Sequence, residues 1–335
     1  MTLDLAALPS PPDISGVTAA NFAAKITDIY QPAVLRGFAD HWPLVQAAKQ
    51  SEAEAARYLQ QHSQDKPQML LQLPANVNGR LFYNDNISGM NFSGSQTRMN
   101  AAIQQMLQAN TNTERYCVQC VPVQDNFTGL TLDNPLLSAD TKSFIWLGNA
   151  VTVPAHFDEA SNIAVVAAGK RRFTLFPPEQ LANLYIGPLD LTPAGQPVSM
   201  VNMLAPDLTT HPNYPKAYAA ALSVELKPGD AIYIPTPWWH HVQSLSAFNV
   251  LINYWWSNVY VSSALPFPML LHAIQTFNHL PQGQLQAWQY FIRHYLLAEN
   301  GDPAAHLPDN AKGILGDMTP QLAQGLHRWL AGQLK

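Results

Sequence analysis

Pro154-Ala-His156-Phe-Asp158-Glu-Ala-Ser-Asn162-Ile-Ala-Val-Val-Ala-Ala-Gly169-Lys-Arg171-Arg-Phe-Thr-Leu-Phe176-Pro-Pro178 is the stretch whose reading decides the fold. Two apolar runs rich in β-branched and aromatic residues meet at Gly169 and stop at Pro177-Pro178, as two short strands joined by a tight turn would. Just before them stand His156 and Asp158. Side chains alternate faces along a strand, so residues at i and i+2 point the same way, and Phe157 between them should pack outward. Farther on, Lys227-Pro-Gly-Asp-Ala-Ile-Tyr-Ile-Pro235 reads as another strand entered from a turn and able to pair beside the first. It ends where Trp238-Trp239-His240-His241 begins.

Two imidazoles and one carboxylate form the ligand set of a non-haem Fe(II) oxygenase. On one face of an octahedral ion they leave adjacent positions open for a chelating 2-oxo acid and O₂. Spacing alone lets either His240 or His241 supply the second imidazole. The cations Lys170, Arg171 and Arg172 fall on the second strand of the opening stretch, where a dianionic cosubstrate could find a fixed positive charge. On a strand Lys170 and Arg172 point to the face opposite that of Arg171.

Several motifs in the same order carry a family resemblance: Pro154 to Asn162, Gly169 to Pro178, Pro228-Gly-Asp-Ala-Ile-Tyr-Ile-Pro235, Trp238-Trp-His240-His241-Val-Gln-Ser244, and Asn253-Tyr-Trp255. Upstream, Pro32-Ala-Val-Leu-Arg36-Gly37 and His41-Trp-Pro43 extend it. From about residue 25 to about residue 258 the chain resembles the JmjC/cupin-like (cupin 8) Fe(II)- and 2-oxoglutarate-dependent dioxygenases, most of all the branch of the hypoxia-inducible-factor asparaginyl hydroxylase. The resemblance implies a double-stranded β-helix, or jelly roll. It implies Fe(II) held by His156, Asp158 and His240, with His241 as a neighbour that does not bind. Arg171 would face the distal carboxylate of 2-oxoglutarate, helped by Asn162, Asn253 and Tyr116. Trp255 matches a position near the iron, and with Gln119 is a candidate for substrate contact. The implied reaction consumes O₂ and 2-oxoglutarate, releases succinate and CO₂, and hydroxylates a C–H bond.

At two positions the chain departs from its relatives. Arg171 stands where they carry lysine, which keeps the charge but brings a longer, planar fork able to grip a carboxylate in two places. Val153 occupies the place of a threonine that often binds the cosubstrate, leaving the adjacent Thr152 as the available hydroxyl. These changes motivate an alternative in which a non-catalytic cupin-like protein binds a metal or small ligand, and a weaker one in which a cupin enzyme uses another metal.

Composition agrees with an ordered protein having a large core: of 335 residues, 47% are hydrophobic and 12% charged. The net charge of −5 and the absence of a basic run longer than Lys170-Arg171-Arg172 argue against nucleic-acid binding. Cys117 and Cys120 lack a second Cys/His pair at zinc spacing, so they read as strand residues rather than a metal or redox pair. The first residues show no secretory pattern and no apolar stretch reaches ~20 residues, so a cytoplasmic protein without a membrane role is expected.

Helical patterning marks Thr18 to Ile29 and Glu52 to Gln61, a strand-rich middle follows, and helices are expected from Pro266 to His279, Gln282 to Ala298 and Pro320 to Leu334. We therefore divide the chain into a catalytic domain, 1–258, and a helical region, 259–335. Apolar stripes of the last helices, such as Leu285, Trp288, Phe291, Ile292 and Tyr295, favour a homodimer, as the resemblance also implies. The substrate, a protein side chain or a small metabolite, would be set by the loop from Leu81 to Gly89 and the insert from Tyr185 to Lys216.

Overall fold

The computed structural model describes residues 3–110, 112–257 and 265–334. Among them, all twelve strands pair antiparallel. They are β1 (Ala33–Leu35), β2 (Pro67–Pro74), β3 (Ser93–Arg98), β4 (Glu114–Pro122), β5 (Ser143–Gly148) and β6 (Thr152–His156), followed by β7 (Ser161–Ala168), β8 (Arg171–Phe176), β9 (Leu222–Leu226), β10 (Ala231–Ile234), β11 (Trp239–Ser244) and β12 (Asn249–Trp256). One sheet has eight strands in the order β1-β10-β7-β12-β5-β4-β2-β3, the other four in the order β6-β11-β8-β9. Consecutive β7 and β8 lie in different sheets, as the Greek-key crossings of a jelly roll require.

The opening stretch behaves as its sequence predicts at the corner. Gly169 turns the chain with φ +70°, and a Cβ there would sit 2.5 Å from both Phe248 O and Asn249 Oδ1, so only glycine fits. Burial also explains the unbroken apolar run of β7: Ile163, Val165 and Ala167 face helices, while Ala164 and Val166 face the other sheet.

Three apolar layers result. Outside the large sheet, α1 (Pro43–Gln50), α2 (Glu52–His62) and α3 (Met99–Gln108) bury Trp42, Leu44, Leu59 and Ile103 against it. Between the sheets lie Val34, Phe173, Leu175, Ile232 and Leu251. Outside the small sheet, Ala155, Phe176 and Trp239 meet Leu184, Val201 and Tyr214 of the insert. α2 starts on Ser51, whose hydroxyl accepts from the Glu54 amide, and carries Glu52 and Glu54 in its first turn.

Two expectations change. The segment from Thr18 to Ile29 is not one helix, because a single turn, Phe22–Lys25, breaks at Ile26 (φ −129°) before a 3₁₀ turn at Thr27–Ile29. The strand from Ala231 to Ile234 pairs with β1 and β7 in the large sheet, so it does not lie beside His156. That place belongs to β11, which begins after Trp238 and sets His240 directly opposite His156.

The chain divides into two compact units, Met1–Trp256 and Ser257–Lys335. The expected boundary at 258/259 lies outside the described residues. The second unit contains α4 (Pro266–Phe277), α5 (Gln282–Phe291), continued by a π turn at Ile292–Leu296, and α6 (Pro320–Gln333). Within it Phe277, Trp288, Phe291 and Tyr295 form a chain of rings at 6.0, 5.2 and 6.2 Å. Among the described residues no helix is long and apolar enough to cross a membrane.

Candidate metal centre and its pocket

β6 and β11 bring the two histidines together and the turn after β6 adds the carboxylate. Ligand atoms of His156, Asp158 and His240 all lie within 4.8 Å of one another. The imidazole rings are 4.2 Å apart between centroids, and His240 Nε2 stands 3.6 Å from Asp158 Oδ2. Asp158 lies two residues past the end of β6 rather than on the strand. Phe157 still faces outward and packs on Trp239, ring to ring at 5.1 Å.

Both imidazoles are oriented by the same device. His156 Nδ1 lies 2.9 Å from Pro154 O, and His240 Nδ1 lies 3.1 Å from Trp238 O. A carbonyl can only accept, so each Nδ1 donates a proton and each Nε2 is the ring nitrogen left to meet a cation. Burial, then the neighbouring His156, push His240 down to about 4 against the pull of Asp158, so it is neutral at pH 7. Asp158 is held by Trp255 Nε1 at 3.0 Å and Asn162 Nδ2 at 3.4 Å, both donating to Oδ2, while its backbone oxygen accepts from the Thr236 hydroxyl at 2.5 Å. The donor set is two imidazole nitrogens and a braced carboxylate, which suits Fe(II).

A cavity of about 190 Å³ opens from these residues. Arg171 lines it, 5% exposed, with Nε unpartnered and no carboxylate of the described residues in ion-pair contact. Burial lowers the guanidinium to about 10. Arg172 alternates to the far side and pairs with Glu225 at 3.4 Å. Asn162 and Asn253 also line the cavity; Asn253 Nδ2 donates to Asn162 Oδ1 at 3.0 Å, leaving Asn253 Oδ1 buried and unpartnered.

Arg171, Asn162, Asn253 and Trp255 are thus gathered around the His156, Asp158 and His240 cluster, and three other candidates are not. Tyr116 packs against the helix-covered core, where its hydroxyl is 3.4 Å from Gln72 Nε2. The next residue, Cys117, turns toward Arg171, whose charge partly opposes the burial that raises its thiol to about 12. Thr152 lines a different cavity, on the other face of β6, because strand alternation gives the metal side to Val153. Gln119 is absent from the lining, and its Nε2 is buried without a partner. His241 faces the cavity of Thr152, and burial, with Arg80 next, holds it at about 3.

Residues not singled out from sequence complete the pocket. Trp146 lines it from β5, with Nε1 buried and unpartnered, and so does Gln196 of the insert, with Oε1 unpartnered. Cys120 reaches it because a bulge in β4, with Cys120 at φ +51°, breaks the alternation that places Cys117. Nothing in the run of Trp146 or in the insert distinguishes these residues from ordinary packing or loop positions.

The sequence profile of the cupin-like domain matches residues 19–262. HSPB1-associated protein 1 of Homo sapiens is 35% identical over 116 residues, 34% of this chain and 23% of that protein. Lysine-specific demethylase JMJ31 of Arabidopsis thaliana is 29% identical over 141 residues, 42% of this chain and 25% of that protein. For tRNA wybutosine-synthesizing protein 5 of Mus musculus the figures are 34% over 104 residues, 31% of this chain and 30% of that protein. The similarity spans about a quarter of the length of the first of these relatives.

Proposed function

The chain belongs to the cupin-like domain family, and from that premise we propose that it is an Fe(II)- and 2-oxoglutarate-dependent oxygenase that hydroxylates a C–H bond of a protein side chain or small metabolite. One observation carries the reading: a single small cavity joins three converging metal-type ligands to a buried arginine with no acidic partner among the described residues. A buried cation left unpaired is costly unless an anionic ligand completes it.

In this reading His156 Nε2, His240 Nε2 and an Asp158 carboxylate oxygen hold Fe(II), and Arg171 holds the far carboxylate of 2-oxoglutarate. When bound, the iron and oxo acid supply the oxidation of a C–H bond by O₂, with release of succinate and CO₂. The protein's part is positioning. Trp255 and Asn162 fix the carboxylate ligand, the carbonyls of Pro154 and Trp238 fix the imidazoles, and Phe173, Val242 and Leu251 keep water from the cavity wall. Gln196 and Cys120 are placed to meet substrate.

The test is anaerobic addition of Fe(II) and 2-oxoglutarate to the purified chain, following the weak visible charge-transfer band of the chelate. We expect it in the wild type and not in His156→Ala or Arg171→Ala. Iron binding without the band refutes 2-oxoglutarate as the cosubstrate and favours the binding-protein reading, toward which Val153 in the pocket wall and the absence of the Thr152 and Tyr116 hydroxyls from it point. We further propose a homodimer through the helical unit, whose Trp288, Phe291, Leu296 and Trp329 are 48, 54, 64 and 60% exposed. Light scattering of the full chain checks it, and a monomer at all concentrations overturns it.

A further inference from the structure

Behind the metal pocket, on the outer face of the small sheet, lies a second cavity of about 450 Å³. The alternation that turns Val153 and His240 inward turns Thr152 and His241 outward into it. Its other walls come from the segment around Arg80 and from Val201 and Asn202 of the insert. The two loops expected to set specificity are joined here: Arg80 Nη2 donates to the carbonyls of Met200 and Val201, each at 3.2 Å, and Tyr83 OH donates to Leu191 O at 2.7 Å.

Among the described residues the lining holds one cation, Arg80, and groups able to donate beside it, among them His241, Asn202 and Thr152. Arg80 is held in one plane by those two carbonyls and by the Phe82 ring, whose centroid is 3.5 Å from its guanidinium carbon. Only one of its nitrogens is used there, and no carboxylate among the described residues forms an ion pair with it. His241 is 3% exposed and its Nδ1 has no partner. An imidazole offers at least one N–H in either charge state. Asn202 Oδ1 accepts from the Leu204 amide at 3.3 Å, and its NH₂ is available as a donor. Asp85 is the carboxylate of the lining, and it is exposed at the rim. Joining the insert to the sheet explains one nitrogen of Arg80 and leaves His241 unexplained.

We propose that this cavity is a binding site for an oxyanion, a carboxylate or phosphate group gripped by Arg80 and His241 with Thr152 and Asn202 beside them. The fixed guanidinium supplies charge and a preset plane, and the imidazole N–H and amide supply the directional donors an oxyanion needs. One sheet separates the cavity from Arg171, so its ligand is distinct from the cosubstrate of the proposed reaction.

The test uses the full chain labelled with ¹⁵N-histidine, without iron or 2-oxoglutarate, and titrates inorganic phosphate or acetate while following the ring signals of His241, assigned through His241→Asn. We expect a saturable shift with one anion per chain, weakened about tenfold or more in Arg80→Lys and retained in Arg171→Met. Saturation by phosphate alone identifies a phosphate site, and saturation by acetate alone a carboxylate site. No saturable shift of His241 with either anion overturns the proposal. So does a response lost in Arg171→Met and kept in Arg80→Lys, which would place the anion in the metal pocket. Because the wild-type signal decides the matter, a misfolded Arg80 variant does not rescue the idea, and the outcome is independent of any oxygenase activity.

Discussion

Replacing Arg171 with methionine should make the ligand-free protein more stable while destroying its response to cosubstrate. The guanidinium is 5% exposed, has no carboxylate partner among the described residues, and is lowered from 12.5 to about 10, chiefly by burial. That drop corresponds to a cost on the order of 3 kcal/mol for keeping the charge in the folded chain at neutral pH. Methionine has a similar reach, no charge and flexible packing, so most of that cost should be recovered, giving a gain of about 1–3 kcal/mol. With anaerobic Mn(II) as a redox-silent metal and 2-oxoglutarate at ~100 times its dissociation constant, the wild type should gain about 2.7 kcal/mol and the variant almost nothing. Urea unfolding of both proteins, with and without 2-oxoglutarate, measures all four stabilities. A ligand-free variant less stable than the wild type by 1 kcal/mol or more would show that Arg171 is a structural cation. An equal response of both proteins to 2-oxoglutarate would show that the acid binds elsewhere.

Trp255→Phe removes the indole donor 3.0 Å from Asp158 Oδ2 and should weaken metal binding about 10- to 100-fold, read by Mn(II) titration; unchanged affinity would leave the tryptophan a wall residue. Metal-free protein should lose stability on acidification. His240 titrates at about 4 in the fold against 6.5 in an open chain, so the unfolded state binds the extra proton between these values. The contribution is therefore full above about pH 6.5 and falls by about 2 kcal/mol from pH 7 to pH 5. His241, at about 3, acts in the same direction, and urea midpoints that stay level from pH 7 to 5 would contradict both. Gly169→Ala should destabilise by at least 1–3 kcal/mol, since it forces an alanine to φ +70° with its methyl group 2.5 Å from the Phe248 carbonyl; a thermal midpoint within a degree of wild type would refute that crowding.

Two neighbouring cavities share one structural cause. β6 and β11 are buried on both faces, so each strand presents polar groups alternately to the metal pocket and to the space behind it. The register that sets His240 opposite His156 also sends His241 away, which spacing along the chain could not decide. One extra residue of β6 between Val153 and His156, a bulge opposite His240 to Val242, brings both ends of that segment to the same side. Thr152 is displaced from the metal pocket by the same arithmetic.

Sequence alone was enough for the jelly roll and the metal cluster, because both are written in local patterns. Apolar runs cut by Gly169 and Pro177 specify strands, and the ordered motifs around them carry the resemblance that singled out His156, Asp158 and His240, whose ligand atoms the fold brings within 4.8 Å of one another. Alternation on an unbroken strand set Arg171 and Arg172 on opposite faces, and the resemblance picked Arg171 as the inward one. Tertiary structure decided everything that depends on a bulge, a crossing or a loop returning from far away. The bulge in β4 sends Cys120 to the pocket, Tyr116 sits on the helix-covered side, and Trp146 and Gln196 enter from a strand and an insert that carry no motif. A period-two pattern holds only while the ladder is regular: one added residue reverses which face a side chain occupies, and that residue is fixed by pairing with a partner strand rather than by its neighbours in sequence.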